Sequence, residues 1–185
     1  MNLFSHPPSL TSSRRLFTVL LLAFLIHNAE EAYTICYFPT VNPLINIQIL
    51  NCEQFLVAVS VISTVVIVLY MIAARSMVTP NRYLFISTGL AAALLLNAIV
   101  PHLLVALLTG QFTPGIFSTV LLIIPLSILM LSRNREHYKS RREQIRHAIL
   151  FTIPAYLFFV LVTRLSMLYF WTFFDQQKNK IFIHF

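Results

Sequence analysis

Residues 16–37 read LFTVLLLAFLIHNAEEAYTICY. The stretch opens with eleven residues that are apolar at every position but Thr18, and the apolar run resumes after Glu31. Its length meets the roughly 20 residues that a helix needs to cross the hydrocarbon of a bilayer. Inside it stand His27, Glu30 and Glu31, and each charge at such depth costs at least about 2.5–3.5 kcal/mol. Arg14 and Arg15 ahead of an apolar core also resemble a secretory or twin-arginine signal. No small-x-small site closes that core, so the segment is read as a retained span.

The rest of the chain agrees with a membrane setting. It has 185 residues, room for one domain, and is 58% hydrophobic and 10% charged. A soluble domain carries about 25% charged residues, so the surplus apolar surface, 16 Phe included, must face lipid. Only helices and closed barrels satisfy their backbone there, and long continuous apolar runs select helices. The expected fold is an all-α, polytopic transmembrane helix bundle of about five spans, near residues 16–37, 55–74, 83–109, 116–131 and 148–174. Residues 16–174 form its single domain, between an N-terminal tail (1–15) and a C-terminal tail (175–185). The fourth span is short and carries Pro125.

The net charge of +7 invites a nucleic-acid reading, but the basic residues are distributed as topogenic signals. Arg14 and Arg15, Arg75 and Arg82, and six residues from Arg133 to Arg146 all fall on one side of the membrane, making ten of the 13 Lys and Arg. The opposite loops, at residues 38–54 and 110–115, contain none. The positive-inside rule therefore sets the N-terminus in the cytoplasm and the C-terminus outside, with Lys178 and Lys180 dissenting, and no nucleic-acid partner is expected. Tyr169, Phe170, Trp171, Phe173 and Phe174 form an aromatic belt where the last span leaves the bilayer.

Candidate functional residues are those that do not belong in lipid. His27 stands at i, i+3 to Glu30 and i, i+4 to Glu31, which places the imidazole within reach of both carboxylates. The third span adds Asn97 and His102, where Pro101 is expected to bend the helix and turn His102 toward the side of Asn97. The fifth adds Arg164. At 1.5 Å per residue from the cytoplasmic ends, His27 lies about 16 Å deep, Glu30, Glu31 and Asn97 about 21–22 Å, Arg164 about 24 Å and His102 about 28 Å. Three helices thus present polar groups in one layer of the outer half of the bilayer.

His27-Asn28-Ala29-Glu30-Glu31 resembles the motif that names the HXXEE-domain membrane proteins, and Asn97 through His102 resembles that family's second histidine region. Phe112-Thr113-Pro114-Gly115 is similar to its Tyr-x-Pro-Gly element, with Phe112 in place of the tyrosine. The resemblance runs from about Leu16 to Leu131. It implies residues to watch and no reaction.

Two imidazoles and a carboxylate are the donor set of His-His-Glu zinc sites and of facial-triad iron sites. On that reading His27, His102 and one of Glu30 or Glu31 hold zinc or iron, and the other glutamate is the general base. Asn97 orients a ligand or polarises a substrate oxygen, and Arg164 balances a carboxylate or holds an anionic head group. A hydrolase or oxidoreductase acting on a lipid-like or other hydrophobic substrate, taken from membrane lipid, is the expected activity. The residue set is also similar in composition to that of CAAX-type intramembrane glutamic proteases, although Ile35 and Cys36 stand where their downstream arginine would fall. The non-enzymatic alternative is a proton relay, transporter or accessory protein with buried ion pairs. A typical secondary transporter would show an internal repeat, and none is visible. Nothing in the pattern selects an oligomeric state.

The remaining features read more simply. His137 and His147 lie in or beside a basic loop at Ser132–Arg146 and are expected to be solvated or at the lipid surface, and His6 and His184 lie in the tails. Pro114-Gly115 is a turn between spans. Cys36 and Cys52 both fall near the outer face, where pairing depends on geometry that spacing does not supply.

Overall fold

The computed structural model describes residues 10–37, 51–75 and 79–182, with side chains described as far as Leu168. His6, His184, the loop at 38–50, the side chains of the aromatic belt and those of Lys178 and Lys180 lie outside the described residues. All regular structure among the described residues is helical. Five helices are long and apolar enough to cross a membrane: α1 (Leu10–Tyr37), α2 (Cys52–Ala74), α3 (Pro80–Thr109), α4 (Ile116–Arg135) and α5, which runs over Arg141–Phe182.

The ends follow local chemistry. Asn51 starts α2 with a capping box: its side chain accepts from the Gln54 amide at 2.8 Å, and the Gln54 side chain accepts from the Asn51 amide at 3.1 Å. Pro80 opens α3, where its missing N–H costs nothing. Helix α4 is longer than expected because it continues past Leu131 to Arg135. Helix α5 begins at Arg141 rather than Ala148, so the basic loop shrinks to a turn at residues 136–140. Cys36 and Cys52 form a disulfide that ties the end of α1 to the start of α2.

Two helices are locally widened into π turns, at Ala98–Leu104 in α3 and at Thr119–Ile123 in α4. Each coincides with a proline, Pro101 inside the first and Pro125 just beyond the second. A proline removes one backbone donor and crowds the carbonyl four residues earlier, and a wider turn relieves both.

Helices α1, α3 and α4 form the inner layer. Phe17, Leu20 and Phe24 of α1, Leu90, Ala91 and Leu94 of α3, and Ile123 and Met130 of α4 are buried in one cluster. Helices α2 and α5 lean on this layer and turn large side chains such as Met71, Ile149 and Leu157 outward. Small residues let α3 approach its neighbours, and Gly89 is the tightest case, since a Cβ there would collide with the Phe151 ring of α5.

The end of the bundle that carries the basic residues, here the basic end, is pinned by polar contacts. Arg133 donates to Ser12, and the Arg14 guanidinium lies 5.5 Å over the Tyr83 ring. Asn134, fully buried, donates to Ser87 Oγ at 2.9 Å and Thr88 Oγ1 at 3.0 Å. Tyr138 donates to the Leu84 carbonyl at 3.0 Å and meets His147 Nδ1 at 3.1 Å, so both residues are packed rather than solvated. Interhelical hydrogen bonds in lipid are worth about 0.6 kcal/mol on average and up to about 1.7. Asn134→Leu, which removes two of them, is therefore expected to cost about 1–3 kcal/mol, read as a lower thermal midpoint in detergent micelles.

Candidate metal centre

Near the disulfide end of the bundle, α1 and α3 bring three ionisable side chains together. His27 Nε2 lies 3.7 Å from one Glu31 carboxylate oxygen and His102 Nε2 lies 3.3 Å from the other. The donor atoms of all three residues fall within 4.8 Å of one another. The imidazole rings are perpendicular, 4.8 Å apart at their centroids. Both histidines are buried, and the Glu31 side chain is 16% exposed.

Each histidine is oriented from behind by the turn that precedes α4. His102 Nδ1 lies 2.8 Å from the Pro114 carbonyl, which can only accept, so the ring proton is on Nδ1. Ser118 Oγ donates to the Gly115 carbonyl at 3.2 Å and therefore accepts from His27 Nδ1 at 3.0 Å. In both rings the Nε2 lone pair is left on the side of the Glu31 carboxylate, and that of His102 also has Asn97 Nδ2 within 3.5 Å. Three acceptors facing one another repel unless a metal ion or a shared proton stands among them. A histidine that donates its second nitrogen to a carbonyl or hydroxyl while the first is free is the usual arrangement behind a metal ligand.

Distances fit the same reading. Tetrahedral zinc, with bonds of about 2.0–2.1 Å, holds its donor atoms roughly 3.3 Å apart. His102 already has that separation from one Glu31 oxygen and His27 lies 3.7 Å from the other, while the donor set as a whole spans up to 4.8 Å, so the three groups would close in on a bound ion. Three protein donors with a further position open is the pattern of catalytic rather than structural sites.

The π turn in α3 explains how Asn97 and His102 share a face. In an α-helix residues five apart point in different directions, whereas the i to i+5 repeat of a π turn stacks them. Asn97 Nδ2 accordingly comes within 3.5 Å of His102 Nε2. Thr113 Oγ1 donates to the His102 carbonyl at 3.1 Å, which also accepts from the Val105 amide.

The two glutamates are separated in role. Glu30 accepts from the backbone of Phe117 at 3.1 Å and of Ser118 at 2.8 Å, one bond to each oxygen, and so caps the start of α4. A carboxylate at a helix N-terminus meets free N–H groups and the positive end of the dipole. Arg164 matches the cluster in level but not in direction: it is exposed on α5 and makes no ion pair among the described residues. Phe112 is 50% exposed and stacks on Phe117, away from the cluster. Thr113, Ser118 and the Pro114 carbonyl complete the site, and the sequence assigns none of them a part in it. Their only sign there is the Thr-Pro-Gly element itself.

A cavity of about 600 Å³ lies beside the cluster, between α1, α2, α3 and α5. Glu31, Asn97 and His102 form its polar wall with Asn28, which also donates to Ser63 of α2 at 2.8 Å. The remaining surface is almost wholly apolar.

Fold and site together define a bundle of membrane-spanning type with a buried His–Glu–His cluster opening on an apolar cavity. The chain belongs to the family of proteins of unknown function with an HXXEE motif, whose model matches residues 18–130. That match takes in every residue of the cluster and of the turn behind it. No curated protein and no solved structure matches the chain.

Proposed function

We propose that the protein is a membrane-embedded metalloenzyme that acts on a hydrophobic, lipid-like substrate, with His27, Glu31 and His102 holding zinc or iron. The observation that carries this reading is the convergence of His27, Glu31 and His102 beside an apolar cavity that Glu31 and His102 line. A metal held there supplies Lewis acidity and an activated water for hydrolysis, or an open iron position for oxidation. The chain's own groups do the positioning. The Pro114 carbonyl and Ser118 hold the imidazoles, and Glu30 holds the first turn of α4 that carries Ser118. Asn97 Nδ2 is placed to donate to a substrate oxygen at the cavity wall. Arg164 is left to an anionic head group outside the cluster.

Orientation belongs to the same proposal. Ten of the 13 Lys and Arg favour a cytoplasmic basic end, and a disulfide at the other end requires an oxidising compartment. The cluster would then lie toward the extracytoplasmic face, with the N-terminus in the cytoplasm and the C-terminus across the membrane.

Elemental analysis of detergent-purified protein tests the reading. About one zinc or iron per chain is expected, and none in His27→Ala or His102→Ala, because two remaining donors hold a divalent metal poorly. Protein purified without chelators that carries no metal would overturn it and leave the cluster to a shared proton.

A further inference from the structure

We infer that the cavity takes one single-chain amphiphile with an uncharged polar group, which rests against Glu31, Asn97 and His102 while its tail runs toward the basic end. The inference rests on the cluster being the reacting centre, and it goes on to name the substrate class.

Length and breadth come first. The lining extends from Phe55 to Leu69 on α2, from Phe85 to His102 on α3, and from Leu150 to Thr163 on α5. At 1.5 Å per residue this is about 20–25 Å along the helix axes. A volume of about 600 Å³ spread over that length has a mean cross-section of roughly 25–30 Å². That admits one extended alkyl or prenyl chain. Ala93 and Ala155 keep this channel open, since a larger side chain at either would fill it.

Polarity sets the direction. The polar wall lies at one end, and Leu69, Phe85 and Phe151 close the other with hydrocarbon only. No Lys or Arg is among the described residues that line it. A phosphodiester would bring a charge that the lining meets only with neutral donors, the amides of Asn28 and Asn97 and the hydroxyls of Tyr156 and Thr163, so the fitting group is an ester, amide, alcohol or aldehyde. The polar end faces the disulfide end of the bundle, and lipids of the leaflet on that face point their tails inward in the same sense. The substrate therefore enters from that leaflet without turning over.

Photolabelling in detergent micelles tests the inference. The probe is a long-chain monoacylglycerol with a diazirine at the tail terminus, and crosslinks are mapped by peptide mass spectrometry. Labelling is expected around Leu69, Phe85 and Phe151, suppressed by unlabelled monoacylglycerol and not by dioleoylphosphatidylcholine. Ala93→Phe and Ala155→Phe each put a ring where the chain would lie and should lower labelling about tenfold. Metal content and thermal midpoint are measured on the same samples, and both should match the parent protein. Labels near Phe55 and Thr163, equal competition by the phospholipid, or labelling that both variants leave intact would overturn the inference. Specific labelling of protein without metal would keep the ligand class and remove the metalloenzyme reading.

Discussion

Gly115→Ala is expected to lower metal affinity at least about 100-fold, the upper range for disturbing groups that orient ligands. Two independent effects act at this position. Its φ of +76° is left-handed, which costs a residue with a Cβ roughly 1–2 kcal/mol. The added methyl would also sit 2.7 Å from Glu31 Cγ and from His27 Cε1, and 3.1 Å from His27 Nδ1. Neither neighbour has room to retreat, because the Glu31 carboxylate meets both imidazoles and His27 Nδ1 is bonded to Ser118. Gly110→Ala is the control: its φ of +64° brings the same kind of strain, with nothing within 4 Å of the new methyl. It should lose stability by roughly 1–2 kcal/mol and keep its metal. Isothermal titration with zinc into protein stripped of metal separates the two. Equal affinities for the two variants would show that backbone strain alone acts at position 115.

Glutamine at the two adjacent glutamates is expected to give opposite results. Glu31→Gln replaces an anionic ligand by a neutral amide and should empty the site while the bundle stays folded. Glu30→Gln should keep the metal but lower stability by about 1.5–3 kcal/mol, the usual worth of a hydrogen bond to a charged group. The loss arises because an amide presents one acceptor where the carboxylate met two backbone N–H groups of α4. Metal stoichiometry and thermal midpoint, read on both variants, decide the matter. Metal lost from Glu30→Gln and retained in Glu31→Gln would exchange their roles.

These two residues also mark what a sequence can carry. Level in the membrane follows coarsely from the fixed rise per residue: the sequence places His27, Glu31, Asn97 and His102 in one layer but spreads His27 and His102 over about 12 Å of depth, whereas their rings lie 4.8 Å apart. Direction around the helix axis is harder to read, because it depends on which neighbour each face meets. Glu30 and Glu31 differ by about 100° of rotation, enough to send one to the cluster and the other to the start of α4. Arg164 shares the layer and faces away for the same reason. The spacing of Asn97 and His102 argues against a shared face in an α-helix. Pro101 signals a distortion there, though not that it takes the form of a π turn. Ser118 and the Pro114 carbonyl act through a side chain common in helices and a backbone atom present in every residue, so composition does not single them out. The Cys36–Cys52 bond is open in the sequence for a related reason, since chain spacing does not fix the separation of two helix ends.

The family match ends before α5 begins. Every group that touches the cluster belongs to α1, α3, α4 or the turn before α4, within residues 18–130. Helix α5 begins beyond that limit and gives the cavity the wall formed by Leu150, Phe151, Pro154 and Ala155. Substitutions on that wall can therefore reshape the cavity for a chain of another length or branching without touching a residue of the cluster.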